Sequence, residues 1–104
     1  MNERGVEVLV SGALRGVRQI PFRHGDAEGG RCAIGLMLEA MHEAHGCGVT
    51  ASDAMWDDVD ETEFDRCYGT DEQQRARICA HNNGGVVPQW DFLTIARKLG
   101  PDHA

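Results

Sequence analysis

Residues 31–45, RCAIGLMLEAMHEAH, decide how this chain folds. Ile34, Met37, Leu38, Met41 and His45 recur at intervals of three and four. Cys32, Leu36, Glu39 and Glu43 share the other side, and the two sets together wind into an amphipathic helix. Gly46 and Gly48 supply its C-terminal stop, and His42 and His45 fall in the last turn, where the helix dipole favours positive charge. Gly35 stands mid-helix, where Gly costs about 1 kcal/mol relative to Ala. Its expected use is to let another segment cross closely.

Upstream, Val6, Leu9 and Val10 sit at helical spacing within residues 3–10, with Gly12 as the stop; the alternation Val6, Val8, Val10 fits a strand equally well. Residues 13–22 carry Leu14, Val17, Ile20 and Phe22 between Gly16 and Pro21 and read as an extended element. RHGDAEGG, residues 23–30, is a turn by composition. Downstream, Ser52 or Asp53 can cap a short acidic helix with Met55, Trp56 and Val59. A second acidic turn carries Phe64, Cys67 and Tyr68 before Gly69. Thr70 to His81 opens with a capping-box spelling, Thr70 to Gln73, and Asn82 to Gly85 is a turn. Pro88 to Leu99 reads as a closing helix that buries Leu93, Ala96, Phe92 and Leu99 against residues 32–45. One of Trp90 and Ile95 is then left at its edge.

Among the 104 residues, 41% are hydrophobic, 26% are charged, and neither a repeat nor a linker interrupts the pattern. The expected product is a single domain, 1–104, of α+β class: mostly helical, four to five short helices, with a small β element in the N-terminal third. No apolar run is long enough to span a membrane and no secretion signal is spelled, so the expected location is the cytoplasm, with reduced thiols. Cys32 and Cys79 fall where small buried hydrophobes fit.

Charge is distributed unevenly. Between Glu39 and Glu72 the chain holds eleven carboxylates (Glu39, Glu43, Asp53, Asp57, Asp58, Asp60, Glu61, Glu63, Asp65, Asp71, Glu72) and one basic residue, Arg66. That block is net −10 within a chain of net −7. A local field of this sign attracts basic partners and repels nucleic acid. The expected partner-binding residues are therefore Asp53, Trp56, Asp57, Asp58, Asp60, Glu61, Glu63 and Asp65, with Trp90 as an aromatic anchor. Amide replacements at Asp57, Asp58, Asp60, Glu61 and Glu63 are expected to leave the fold intact.

Two other constellations compete. Arg15, Arg18, Arg23 and Arg31, with Asn82 and Asn83, can line a pocket for a small anion. His42, His45 and Cys47 with Cys79 and His81 offer zinc-type ligands, although no Cys-x-x-Cys pair is present. Cys79 and His81 diverge at i and i+2 on a helix, so a nucleophile–base pair is not expected there. Neither a P-loop nor an EF-hand is spelled. No catalytic residue, cofactor or resident metal is expected, and binding is favoured over enzymatic activity.

Several short motifs occur in a recognisable order: Leu9-Val10-Ser11-Gly12, Gln19, Gly25-Asp26, Cys32-Ala33-Ile34-Gly35, Asn82-Asn83-Gly84-Gly85 and Phe92-Leu93-Thr94-Ile95-Ala96. In this order they resemble a group of small phage and prophage proteins of unassigned function, over about two-thirds of the chain. That group often has two adjacent cysteines in its second helix, where this chain has Cys32 alone, and an Asp where Asn83 stands. The resemblance implies a mobile-element setting. In that setting small acidic proteins are frequently inhibitors of host defence machinery, including CRISPR complexes with basic surfaces. The expected function is thus a stoichiometric, anti-defence (anti-CRISPR-type) accessory protein that presents acid to a basic host protein.

Overall fold

The computed structural model describes residues 1–45 and 60–101, with the side chains of residues 44 and 45 excepted. Five helices appear in these: α1 (Glu3–Leu14), α2 (Ala33–His45), α3 (Glu61–Tyr68), α4 (Glu72–Asn83) and α5 (Phe92–Leu99). The expected acidic helix near Trp56 lies outside the described residues.

α1 resolves the helix-or-strand ambiguity in favour of a helix, and it runs through Gly12. That glycine is buried against the Leu36 side chain, where a Cβ would collide with Leu36 Cδ1. It is a packing notch rather than a stop. The real stop is Gly16, at φ 74°. Its N–H reaches Ala13 O at 3.1 Å, and Val17 N–H reaches Gly12 O at 3.0 Å. These two bonds close the last turn in the way a left-handed glycine allows.

The expected β element is absent among the described residues, and the α+β label gives way to an all-helical one. Residues 17–32 form a loop with two isolated bridges, Gln19 to Arg31 and Gly25 to Arg31. Arg31 is shared by both, so neither bridge extends into a ladder. Asp26 tightens the loop by accepting from Glu28 N at 3.0 Å and Gly30 N at 2.7 Å.

α2 is the centre. Ala33, Ile34, Leu36, Met37, Leu38 and Met41 are all buried, so both sides of the expected amphipathic pattern face protein. The first two turns of α2 are enclosed on every side, while Glu39, His42 and Glu43 keep a polar edge toward solvent in the second half. α1, α3 and α4 pack on it. Gly35 faces the loop: a Cβ there would overlap the backbone carbonyl of His24. The Cys32 thiol takes the place of a cap, with Gly35 N–H 3.2 Å from Sγ.

Capping follows chemistry at the other helices. Asp60, Asp71 and Asp91 each accept the N–H three residues on, at Glu63, Gln74 and Thr94. For α4 this moves the cap one residue past the expected Thr70, whose hydroxyl instead donates to Asp65 Oδ1 at 2.7 Å. α5 starts at Phe92 rather than Pro88. Its buried stripe is Phe92, Ile95, Ala96 and Leu99, and Leu93 is 48% exposed. α5 packs chiefly on α1 and then α4, rather than chiefly on α2 as expected.

Gly35→Ala should lower the melting temperature, by the equivalent of about 1–3 kcal/mol, because the added methyl meets fixed backbone rather than a movable side chain. Thermal unfolding measures this. Ile95→Ala should cost about 2–5 kcal/mol in the same assay, and Leu93→Ala about 0.5 kcal/mol or less.

Candidate binding surface

α3 and α4 meet through one buried cation. Arg75 projects from the same side of α4 as Ile78 and Asn82, and its side chain is only 6% exposed. Asp65 Oδ2 lies 3.1 Å from Nη1, and Glu61 Oε2 lies 3.5 Å from Nη2. Among the described residues Nε–H, itself buried, has no acceptor. Burying a charge demands this kind of pairing, since its hydration is lost. Beside it opens a cavity of about 380 Å³ lined by Glu61, Glu72, Arg75, Ala76 and Cys79.

Part of the expected acidic face is therefore committed internally. Glu61 and Asp65 hold Arg75, Asp60 caps α3, and Glu63 lies 3.6 Å from Arg66. An amide at Glu61 therefore removes a charge from the buried Arg75, whereas Asn at position 60 keeps the α3 cap. Asp53, Trp56, Asp57 and Asp58 lie outside the described residues. Asp71 and Glu72 are exposed at the start of α4.

Trp90 is half-buried rather than a free anchor. Its ring stacks on His81 with centroids 3.4 Å apart and planes 3° from parallel, and Lys98 Nζ lies 5.5 Å from its centroid. His81 Nδ1 is 2.9 Å from Pro88 O, which closes the turn between α4 and α5.

The residues of the anion-pocket reading are dispersed into structural work. Arg18 pairs with Asp26 at 2.6 Å and Glu28 at 3.4 Å, and Arg31 with Glu39 at 2.8 Å. Asn82 is buried, with Oδ1 accepting from Ala33 N and Gln19 Nε2 and Nδ2 donating to Ile20 O. Asn83 Oδ1 accepts Phe22 N–H at 2.8 Å and so fixes an exposed Phe whose φ is +64°. Arg15 and Arg23 are exposed. Convergence on one anion is not what this arrangement provides.

Of the zinc-type ligands, His42 is exposed on α2, Cys79 lines the cavity and His81 belongs to the Trp90 stack. The side chain of His45, and Cys47, lie outside the described residues. Among the described residues, no three His, Cys, Asp or Glu groups gather as a metal site.

A pair that the sequence reading did not assemble is His24 with Cys32. His24 Nδ1 lies 3.4 Å from Cys32 Sγ, both buried under the loop. Burial pushes the Cys32 thiol up to about 11, with the nearby Cys79 adding to the rise, and it lowers the His24 imidazole below its ordinary range. Both groups are held neutral, the reverse of an activated nucleophile and its imidazolium. The signal for the pair was faint, since seven residues of loop separate the two. Arg75 was more legible: it stands three residues before Ile78 and seven before Asn82, on the buried side.

No family model, curated protein or solved structure matches the chain.

Asp65→Asn should cost about 2–3 kcal/mol in chemical denaturation, because a buried guanidinium loses its closest charged acceptor. Arg66→Ala, at the exposed pair, should change stability by about 0.5 kcal/mol or less. Cys32 should resist a thiol reagent at pH 8 and react at once in denaturant, read by mass.

The pH dependence has a definite sign. With its folded pKa depressed, the contribution of His24 is present above its ordinary value of 6.5 and is lost as pH falls below that. Melting temperature should therefore fall between pH 7 and 5, and His24→Asn should flatten that slope.

Proposed function

We propose that this protein acts by stoichiometric binding, presenting its acidic segment, residues 53–72, to a basic surface on another protein. The observation that carries the proposal is the segregation of charge: eleven carboxylates and one basic residue lie between Glu39 and Glu72, while the remainder of the chain is net positive. Complementary potentials of this kind speed encounter and select partners by sign. Supporting it, Glu72 and Asp71 stand exposed at the start of α4, beside exposed Asp60 and Glu61 at the start of α3.

The resemblance to small phage and prophage proteins supports an anti-defence role in the host cytoplasm, directed at a basic host complex such as a CRISPR effector. Among the described residues no helix is long and apolar enough to cross a membrane. The neutral His24–Cys32 pair favours binding over thiol catalysis, because its burial opposes the thiolate that such chemistry uses.

The experiment is capture of a partner from bacterial host lysate, followed by association kinetics with the purified partner. A basic partner whose on-rate falls about tenfold or more from 0.05 to 0.5 M salt is expected. Replacing Asp57 and Asp58 with Asn and Glu72 with Gln, which spares Asp60, Glu61 and Asp65, should slow association at low salt. An on-rate indifferent to these changes would remove the segment from the interface.

A further inference from the structure

We propose that the end of the molecule where α1 and α4 finish and α5 begins is a docking surface for a second copy of this chain, met across a twofold axis. The inference goes beyond the acidic-surface reading and does not depend on it.

Among the described residues four large apolar side chains stand exposed: Leu14 at 80%, Phe22 at 79%, Val86 at 103% and Leu93 at 48%. The fold gathers them at one end. The Met1 ammonium donates to Leu99 O, so α1 starts where α5 finishes, and Leu14, at the finish of α1, lies toward the α5 start that carries Leu93. Phe22 N–H donates to Asn83 Oδ1 at 2.8 Å, which sets Phe22 at the finish of α4. Trp90 N–H donates to His81 O at 2.7 Å, and Gln19 Nε2 donates to Trp90 O at 2.8 Å. These bonds draw the 17–32 loop, the α4 finish and the α5 start together, with Val86 in the turn between the two helices. Asp71 and Glu72 open α4 at its other end, roughly 16 Å away along the axis.

The surface is built for docking. Phe22 holds a φ of +64°, a conformation that a bulky side chain rarely adopts, and it does so without being buried. Its flanks are fixed, since Ile20 O accepts from Asn82 Nδ2 and His24 is buried. The aromatic is thus held ready and loses little freedom on contact. Area and charge select a second copy as the occupant. The four side chains present on the order of 500 Å², so two copies face to face bury about 1,000 Å², the threshold of a specific contact. Copies of a chain of net −7 repel one another, above all through the block from Glu39 to Glu72. The exposed charges that flank the four apolar residues in sequence are of both signs, Arg15, Arg23 and Asp91. Apolar groups edged by both signs are complementary to themselves, which a twofold contact requires. Joined by this end, two copies keep their α4 starts apart and present two acidic surfaces outward.

Sedimentation velocity of the full chain, from about 0.01 to about 1 mM, reads the association. A monomer–dimer equilibrium is expected, and its dimer fraction should rise between about 0.05 and about 0.5 M sodium chloride as the repulsion between copies is screened. Association of the acidic segment with a basic partner has the opposite salt dependence. Leu14→Lys combined with Phe22→Asn should raise the dimer dissociation constant about tenfold or more. The melting temperature of that double variant should hold, because a cation suits the last turn of α1 and Asn tolerates a positive φ. Phe22→Trp should keep the dimer. At low salt the double variant should bind polyarginine as the unaltered chain does, which separates this surface from the acidic one. A chain that stays monomeric at about 1 mM in high salt overturns the proposal, as does a dimer of undiminished affinity in the double variant. A monomeric chain whose double variant no longer captures the basic partner assigns this end to that partner instead, and overturns the proposal equally.

Discussion

Asn82 is the joint on which the molecule depends. Its amide takes the first N–H of α2 at Ala33, the side chain of Gln19 and the carbonyl of Ile20, while its own backbone carbonyl accepts from Gln89 Nε2. The end of α4, the start of α2 and the 17–32 loop are thereby held at one buried point. A neutral amide suits the task because it donates and accepts at once and carries no charge to desolvate. Aspartate of the same shape would keep the acceptor and lose the donor to Ile20. It would also place a charge among Ile20, Cys32 and Ala33, all of them buried.

From that joint the core is organised around α2, and its tight spots are set by glycine. Gly12 admits Leu36 into α1, and Gly35 admits the His24 carbonyl onto α2. Tyr68 then reaches from α3 to donate its hydroxyl to Met37 O, with Phe64 at 5.1 Å in an edge-on pair. The loop across α2 buries His24 and Cys32, and that burial is what keeps both groups neutral. Packing and electrostatics are thus the same fact at this end of the molecule.

How much of this was legible in the sequence depends on the range of the interaction concerned. The stretch from Ala33 to His45 declared itself because periodicity is local; α4 was legible from its capping-box spelling, although Asn82 and Asn83, read as a turn, belong to that helix, and α3 read only as an acidic turn. Gly12 misled, since a glycine that ends a helix and one that admits a neighbouring side chain are spelled alike; the false stop then turned residues 13–22 into an extended element. At α5, starting the helix at Pro88 instead of Phe92 brought Leu93 inward and left Ile95 in doubt. The acidic block was visible as a count, but its internal use was not. Glu61 and Asp65 serve Arg75, fourteen and ten residues away, and only the folded arrangement of α3 against α4 says so. The same holds for the cavity beside Arg75, whose walls come from both helices.

The turn after α4 has a bearing on chemical ageing. Asn83 followed by Gly84 is the dipeptide most prone to lose its side-chain amide, by attack of the glycine nitrogen on the asparagine side-chain carbonyl carbon. Here that nitrogen donates to Ala80 O at 2.9 Å, and the Asn83 carbonyl oxygen is engaged by Phe22 N–H. The groups that must meet are each held by another partner. The helical geometry that anchors the Phe22 loop therefore also acts as a preservative, and the clock for deamidation at this site starts only when the end of α4 frays.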